Sequence, residues 1–260
     1  MLLTIDAGNT NTEFALFDGD VMVNQWRATS MQRKTSDEWA SWLFGLMSVA
    51  QISVPAIQRS IISCVRPDLL MDLELFCQDY LLHNPMVIGK CALDFPMGFT
   101  VGNPQEVGAD LIATCVAAKQ LYGAPALVLD MGTATTLSLL DEQQNFAGVA
   151  IAPGLKLSTE ALFQGAAKLP SVPWGKTDRV IGTTTLSAIQ GGVFWGYLGL
   201  IENLMMKAQE QFLRDCPGAH LKIIATGGLA RYFVNETDAI DIYDPDLCIK
   251  GLRIIADYNK

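Results

Sequence analysis

The sequence predicts an α/β protein of two similar lobes, and three observations carry that prediction. Leu2-Leu3-Thr4-Ile5-Asp6-Ala7-Gly8-Asn9-Thr10-Asn11-Thr12 is an apolar run ending in an acid, a glycine and small polar side chains, and Phe14-Ala15-Leu16-Phe17 resumes the apolar pattern. Ala126-Leu127-Val128-Leu129-Asp130-Met131-Gly132-Thr133-Ala134-Thr135-Thr136 repeats it nearly half the chain later, with Leu137-Ser138-Leu139-Leu140 as the second run. After each hairpin, short apolar runs alternate with stretches at helical spacing.

In the first half the hairpin turns at Asp18-Gly19-Asp20, and Val21 to Thr29 reads as a third strand. Ser36-Asp37-Glu38 caps a helix from Trp39 to about Val49, with Trp39, Trp42, Leu43, Leu46 and Met47 on its apolar face. Ser60 to Val65 is a buried strand stopped by Pro67; a helix from about Leu69 to Leu82 and a strand at Met86-Val87-Ile88 follow. Residues 91–104, broken by Pro96, Gly98, Gly102 and Pro104, form a loop. Gln105 to Leu121 is an Ala-rich helix ended by Gly123.

The second half opens with the repeated hairpin. Gly148 to Gly154 supplies its third strand and a tight turn, and a helix runs from about Ser158 to Ala167. Residues 168–181 are a Pro- and Gly-rich connection. A long helix starts at Thr184 or Thr185, and its Gly191-Gly192 and Gly196 permit close helix–helix contact. Lys222 to Ala230 reads as strand, glycine turn and helix, and Leu247 to Tyr258 as the final helix.

Composition narrows the function classes. Half the residues are hydrophobic and 17% are charged, as in compact globular proteins. A net charge of −9 argues against a nucleic-acid partner, since phosphate backbones would be repelled. It leaves nucleotide binding open, because a local nest of backbone N–H groups and a metal ion outweigh the global field. The six cysteines form no C-x-x-C pair and read as reduced thiols of a cytoplasmic protein. Two histidines are too few for a zinc site, and no signal peptide or membrane span is expected.

The turns suggest chemistry. Gly8 lets a phosphate approach the backbone, Thr10 and Thr12 offer hydroxyls, and Asp6 at the strand end suits Mg²⁺ held through water. Alone, Asp-x-Gly-x-Thr is also what an ordinary hairpin with a polar turn shows. Gly227 and Gly228, after the strand ending in Ala225-Thr226, let a flat base lie on bare backbone, although Gly-Gly before a helix is common turn chemistry. Taken together, two loops suit phosphates and a third suits adenosine.

The duplicated hairpins resemble the actin–sugar kinase–heat-shock protein (ASKHA) superfamily. Asp6-x-Gly8-Asn9-Thr10-Asn11, Asn103-Pro104-x-Glu106-Val107-Gly108-Ala109-Asp110, Asp130-x-Gly132-Thr133-Ala134-Thr135-Thr136, Pro153-Gly154 and Ala225-Thr226-Gly227-Gly228-Leu229-Ala230 are similar, in colinear order, to type III pantothenate kinase. The resemblance implies two RNase H-like lobes, 1–118 and 119–260, each a mixed five-stranded sheet flanked by helices, with an ATP cleft between them. It implies ATP-dependent phosphorylation of pantothenate, the first step toward coenzyme A. Asp110 would be the base. Asp6, Ala7, Gly8, Asn9, Thr10, Asn11, Thr12 and Glu13 would embrace the ATP phosphates and Mg²⁺, Thr133 would add a contact, and Gly227 and Gly228 would take the adenosine. Asp130 would hold a monovalent cation, K⁺ or NH₄⁺. Val101, Gly108, Ala109, Asp110 and Leu111 would line the pantothenate site, and Thr185 would reach it from the neighbouring subunit of a homodimer. A helix start at Asp110 is expected to favour its ionised form.

Three places depart from the family pattern. Phe99-Thr100-Val101-Gly102 carries no Tyr where one often precedes the Asn-Pro pair and contributes to the pantothenate pocket. Leu111 stands where an Arg is expected to hold the pantothenate carboxylate, a contact worth about 1.5–3 kcal/mol. Glu13 adds a negative charge beside a phosphate loop. Three alternatives follow: a working kinase that holds the carboxylate through backbone amides or a Lys/Arg of the 91–104 loop, a paralogue that binds ATP but is impaired or re-targeted, and a hydrolase of the same superfamily.

Overall fold

The computed structural model describes residues 1–166 and 169–260. They form two compact units, Met1–Tyr122 with Leu247–Lys260, and Gly123–Asp246. The first unit begins with β1 (Leu2–Ala7), β2 (Asn11–Asp18), β3 (Val21–Thr29), α1 (Ser36–Val49), β4 (Arg59–Cys64), α2 (Pro67–Tyr80), β5 (Met86–Val87) and α3 (Ala109–Tyr122). Its sheet runs β3-β2-β1-β4-β5, with β1, β2 and β3 antiparallel and β1, β4 and β5 parallel.

Alternate side chains of β1 point to opposite faces. Leu3, Ile5 and Ala7 share one core with Trp39, Leu43 and Met47 of α1 and Leu69, Leu73 and Phe76 of α2. Each large apolar side chain buried there contributes roughly 1.5–3 kcal/mol. The spacing of those residues is what makes α1 a helix, and Thr35 rather than Ser36 caps it. The Thr35 hydroxyl accepts from Glu38 N–H, and the Glu38 carboxylate accepts from Thr35 N–H at 2.8 Å.

The second unit holds β6 (Ala126–Met131), β7 (Ala134–Leu140), β8 (Phe146–Pro153), α4 (Leu155–Gly165), α5 (Thr185–Asp215), β9 (Lys222–Thr226) and β10 (Ile242–Tyr243). Its sheet, β8-β7-β6-β9-β10, repeats the strand order and directions of the first. Leu127, Leu129 and Met131 pack on Phe194, Leu198, Ile201 and Met205 of α5. The two mixed five-stranded sheets flanked by helices are those the resemblance implies.

The last helix, α6 (Leu247–Tyr258), returns to the first unit and packs on α3, β1 and β4. A Cβ on Gly251 would lie 1.8 Å from the Ala113 carbonyl oxygen, so the two backbones touch where only glycine fits. Arg59 fastens the helix end by donating to the Ala256 carbonyl at 3.0 Å and to Asp257 at 3.1 Å. The expected division at 118/119 falls inside α3, which stays whole to Tyr122; the first unit is discontinuous because α3 buries itself against this returning helix.

Other boundaries move for local reasons. The helix expected from Gln105 begins at Ala109, because Asn103 caps a separate 3-10 turn over Pro104–Glu106 and Val107 is extended. The Thr-rich stretch 134–136 is already strand, β8 starts at Phe146, and α4 starts at Leu155 after Gly154. The expected helix end at Ala167, and residue 168 of the connection, lie outside the described residues. After β9 the glycine turn leads to a short 3-10 turn, Ala230–Tyr232, instead of a full helix. Gly191 takes a loop rather than a helix: a Cβ there would sit 2.3 Å from the Val180 carbonyl oxygen.

Candidate active site

The first turn is built at the carboxyl end of β1. Gly8 N–H donates to the Asn11 carbonyl at 3.0 Å, which closes the turn and leaves Asn9 and Asn11 exposed. Thr12, the first buried residue of β2, shares a 2.8 Å hydrogen bond with Ser30 Oγ, and Ser30 N–H donates to the Thr10 carbonyl at 2.9 Å. The turn is thus anchored to the end of β3. Asp6 lies opposite Glu13 on β2 and Ser63 on β4. Glu13 belongs to the strand rather than the turn, and its charge is met by the Arg27 guanidinium and by Gln25 Nε2 at 3.2 Å. That pairing removes the awkwardness of an extra acid at this position.

The second turn repeats the plan with one residue fewer. Gly132 N–H donates to the Ala134 carbonyl at 3.0 Å, and Thr133 is exposed. Thr135 is hydrogen-bonded to the Tyr197 hydroxyl of α5, both buried. Burial pushes the Tyr197 phenol up. Asp130 lies opposite Thr136 and Thr226. Gly227, at φ 89°, presses against it: a Cβ there would stand 2.4 Å from Asp130 Oδ1 and 2.7 Å from Met131 N. Gly228 is exposed and has open space where a side chain would be.

Asp110 is the second residue of α3. Its Oδ1 accepts from Leu111 N–H at 2.8 Å and would lie 2.5 Å from a Cβ on Gly108, so glycine there lets the carboxylate fold back. Burial pushes the Asp110 carboxyl up, partly offset by the Leu111 N–H and its own backbone. The net direction is opposite to that expected from the helix start alone, because desolvation outweighs the dipole. A raised carboxyl is a stronger base. Leu111 is half-buried, and segment 91–104 contains neither Lys nor Arg, so that expected source of a carboxylate contact does not exist. The neighbouring Lys90 is held by Glu74 at 2.6 Å, and Lys119 by the Pro96 carbonyl.

The sequence profile of the type III pantothenate kinase family matches residues 2–207. The chain belongs to that family. A type III pantothenate kinase of Rhodospirillum rubrum is 44% identical over 260 residues, covering 100% of this chain and 99% of the relative. One of Paramagnetospirillum magneticum is 42% identical over 260 residues, covering 100% and 98%. Among solved structures, a protein described as a 2-dehydro-3-deoxygalactonokinase from Sinorhizobium meliloti superposes with a TM-score of 0.58 at 13% identity, covering 98% of this chain and 96% of that one. That likeness shows the fold alone, two mixed five-stranded sheets flanked by helices.

Within this type III pantothenate kinase chain, the structure gathers the expected residues by unit. Asp6 to Thr12, Val101, Gly108, Ala109, Asp110 and Leu111 belong to the first unit, and Asp130, Thr133, Thr185, Gly227 and Gly228 to the second. Thr185 is exposed on the first turn of α5, capped by Thr184. Among the described residues no three His, Cys, Asp or Glu converge on a metal site. A cation would therefore take most of its ligands from phosphate oxygens and water, which the single acid at each strand end fits. Sequence reasoning missed Ser30, Ser63, Thr136 and Tyr197. Cross-strand register sets Ser63 and Thr136 opposite the strand-end acids, and side-chain hydrogen bonds tie Ser30 and Tyr197 to the turns. No local pattern announces these relations.

Proposed function

We infer that the chain transfers the γ-phosphoryl group of ATP to the primary hydroxyl of pantothenate. The observation that carries the reading is the strand-end acid repeated at the same register in both sheets, each followed by a glycine-closed turn with exposed polar residues. In this reading one ATP engages Asp6 to Thr12 and Thr133, with its adenosine on Gly227 and Gly228. Asp6 would hold Mg²⁺ and Asp130 a monovalent cation, K⁺ or NH₄⁺; the charge they supply offsets that of the phosphates.

Asp110 orients the acceptor hydroxyl and takes its proton as the oxygen attacks the γ-phosphorus and ADP departs. Gly108 leaves room for the carboxylate by offering no side chain, and the Leu111 N–H holds it. Val101, Ala109 and Leu111 line the acceptor site, and Thr185 enters from a second copy of the chain. Support for that homodimer comes from the apolar side chains exposed beside Thr185, with Ile181 82% and Leu186 47% accessible. We place the enzyme in the cytoplasm on its six free thiols; no helix among the described residues is long and apolar enough to cross a membrane. Full-length identity to kinases of this name does not favour the re-targeted paralogue.

The test is direct. Purified protein with ATP, Mg²⁺ and pantothenate should form phosphopantothenate, faster in K⁺ than in Na⁺. Asp110→Asn should lower kcat by about a hundredfold to ten-thousandfold while ATP still binds. ATP hydrolysis without phosphopantothenate would end the reading.

A further inference from the structure

Among the described residues, three buried side-chain polar atoms have no hydrogen-bond partner: Trp39 Nε1, Ser63 Oγ and Thr136 Oγ1. The indole lies in an aromatic cluster with Phe14 and Trp42. The two hydroxyls have a different setting. Ser63 on β4 is directly opposite Asp6, and Thr136 on β7 is directly opposite Asp130. Residues paired across strands project to the same face, so each orphaned hydroxyl stands beside a strand-end acid. Buried polar groups are almost always satisfied, and an exception calls for a ligand or a function.

Resting on the kinase reading above, we propose that Ser63 Oγ and Thr136 Oγ1 complete the oxygen sets that receive the cations of the nucleotide complex. Ser63 acts with Asp6 on the divalent ion, through the water that ion retains. Thr136 acts with Asp130 on the monovalent ion, which sheds water readily and takes a neutral oxygen directly. A hydroxyl adds a ligand without adding charge, which matters where phosphates already crowd the site. The register explains why the two come from different strands. The position equivalent to Thr136 in the first sheet is Glu13, already engaged by Arg27 and Gln25, so there the neutral oxygen comes from β4.

Ser63→Ala and Thr136→Val, made in the whole chain, test this by calorimetry and thermal unfolding. Each removes an unpartnered hydroxyl, so the unliganded Tm should stay level or rise. Ser63→Ala should weaken Mg–ATP binding by about tenfold while leaving Mg²⁺-free ATP binding unchanged. Thr136→Val should need about tenfold more K⁺ for a half-maximal rise in the Tm of the ADP complex, and Thr136→Ser should restore it. Titrations that match the parent protein, or an unliganded Tm that falls by many degrees, would overturn the inference. A parent protein that binds no Mg–ATP would sink the kinase reading and this inference with it.

Discussion

The two units share a sheet, strand for strand, yet hold their turns differently. In the first, three residues separate β1 from β2, and the buried Thr12 ties the turn to Ser30 at the end of the neighbouring β3. In the second, two residues separate β6 from β7, and Thr135, at the equivalent register, ties it to Tyr197 in the middle of α5. The first turn is thus steadied from within its own sheet, the second by a helix. Opposite the acids the units differ again, with Glu13 facing Asp6 and Thr136 facing Asp130. Topology is set by the backbone ladder, so duplication preserves it; side chains at fixed registers are free to specialise.

The largest expected effect breaks the comparison at its most asymmetric point, the return of α6 to the first unit. Gly251→Ala would drive a methyl group into the Ala113 carbonyl, where both groups are on helix backbones and neither side can yield. A loss of about 3 kcal/mol or more is expected, at the upper end for overpacking. Urea denaturation followed by tryptophan fluorescence measures it. A neutral result would mean that α6 is not needed to close the first unit.

The two anchors come next. Tyr197→Phe and Ser30→Ala each leave a buried threonine hydroxyl without its partner, at a cost of about 1–3 kcal/mol. Hydrogen exchange should then separate them: Tyr197→Phe should speed exchange around Gly132 and Ser30→Ala around Gly8, whose N–H groups close the turns. Equal loosening of both turns in either variant would deny that the units anchor independently.

Asp110 adds a stability cost in the first unit. Its folded carboxyl sits above the ordinary range, so the folded state binds more protons than the unfolded state. Its contribution therefore falls as pH rises from the ordinary carboxylate range through the raised folded value. Asp110→Asn should raise the Tm at neutral pH, and the gain should vanish in acid. A gain that persists at low pH would remove burial as its cause.

Much of this was legible in the sequence. The repeated acid-glycine turns stood out because both follow apolar strands, and helices such as α1, α5 and α6 announce themselves by spacing or caps. β10 did not, since a two-residue edge strand has no alternation to display. α3 starts four residues after the expected Gln105, because Asn103 and Pro104 form a local turn that an Ala-rich window hides. Of the proposed site, Asp6, Asp110 and Asp130 are named by motifs. Ser63 and Tyr197 are not, because their relation to the turns exists only after strands pair and α5 packs.

The smallest effect sharpens the contrast between Glu13 and Thr136. The Arg27–Glu13 pair bridges β2 and β3 with Arg27 54% accessible, so Arg27→Gln should cost under about 1 kcal/mol of stability. Its consequence for binding should be larger than for folding, because Glu13 would then present an uncompensated charge one strand away from Asp6. ATP affinity should fall roughly twofold to fivefold at low salt and recover as ionic strength rises, since the added repulsion is screened. The double variant Arg27→Gln with Glu13→Gln should bind as tightly as the parent. If the single variant binds normally at every salt concentration, Glu13 lies beyond electrostatic reach of the phosphates. The acid would then be a feature of the sheet alone, and the first turn would differ from the second in its anchor but not in its charge.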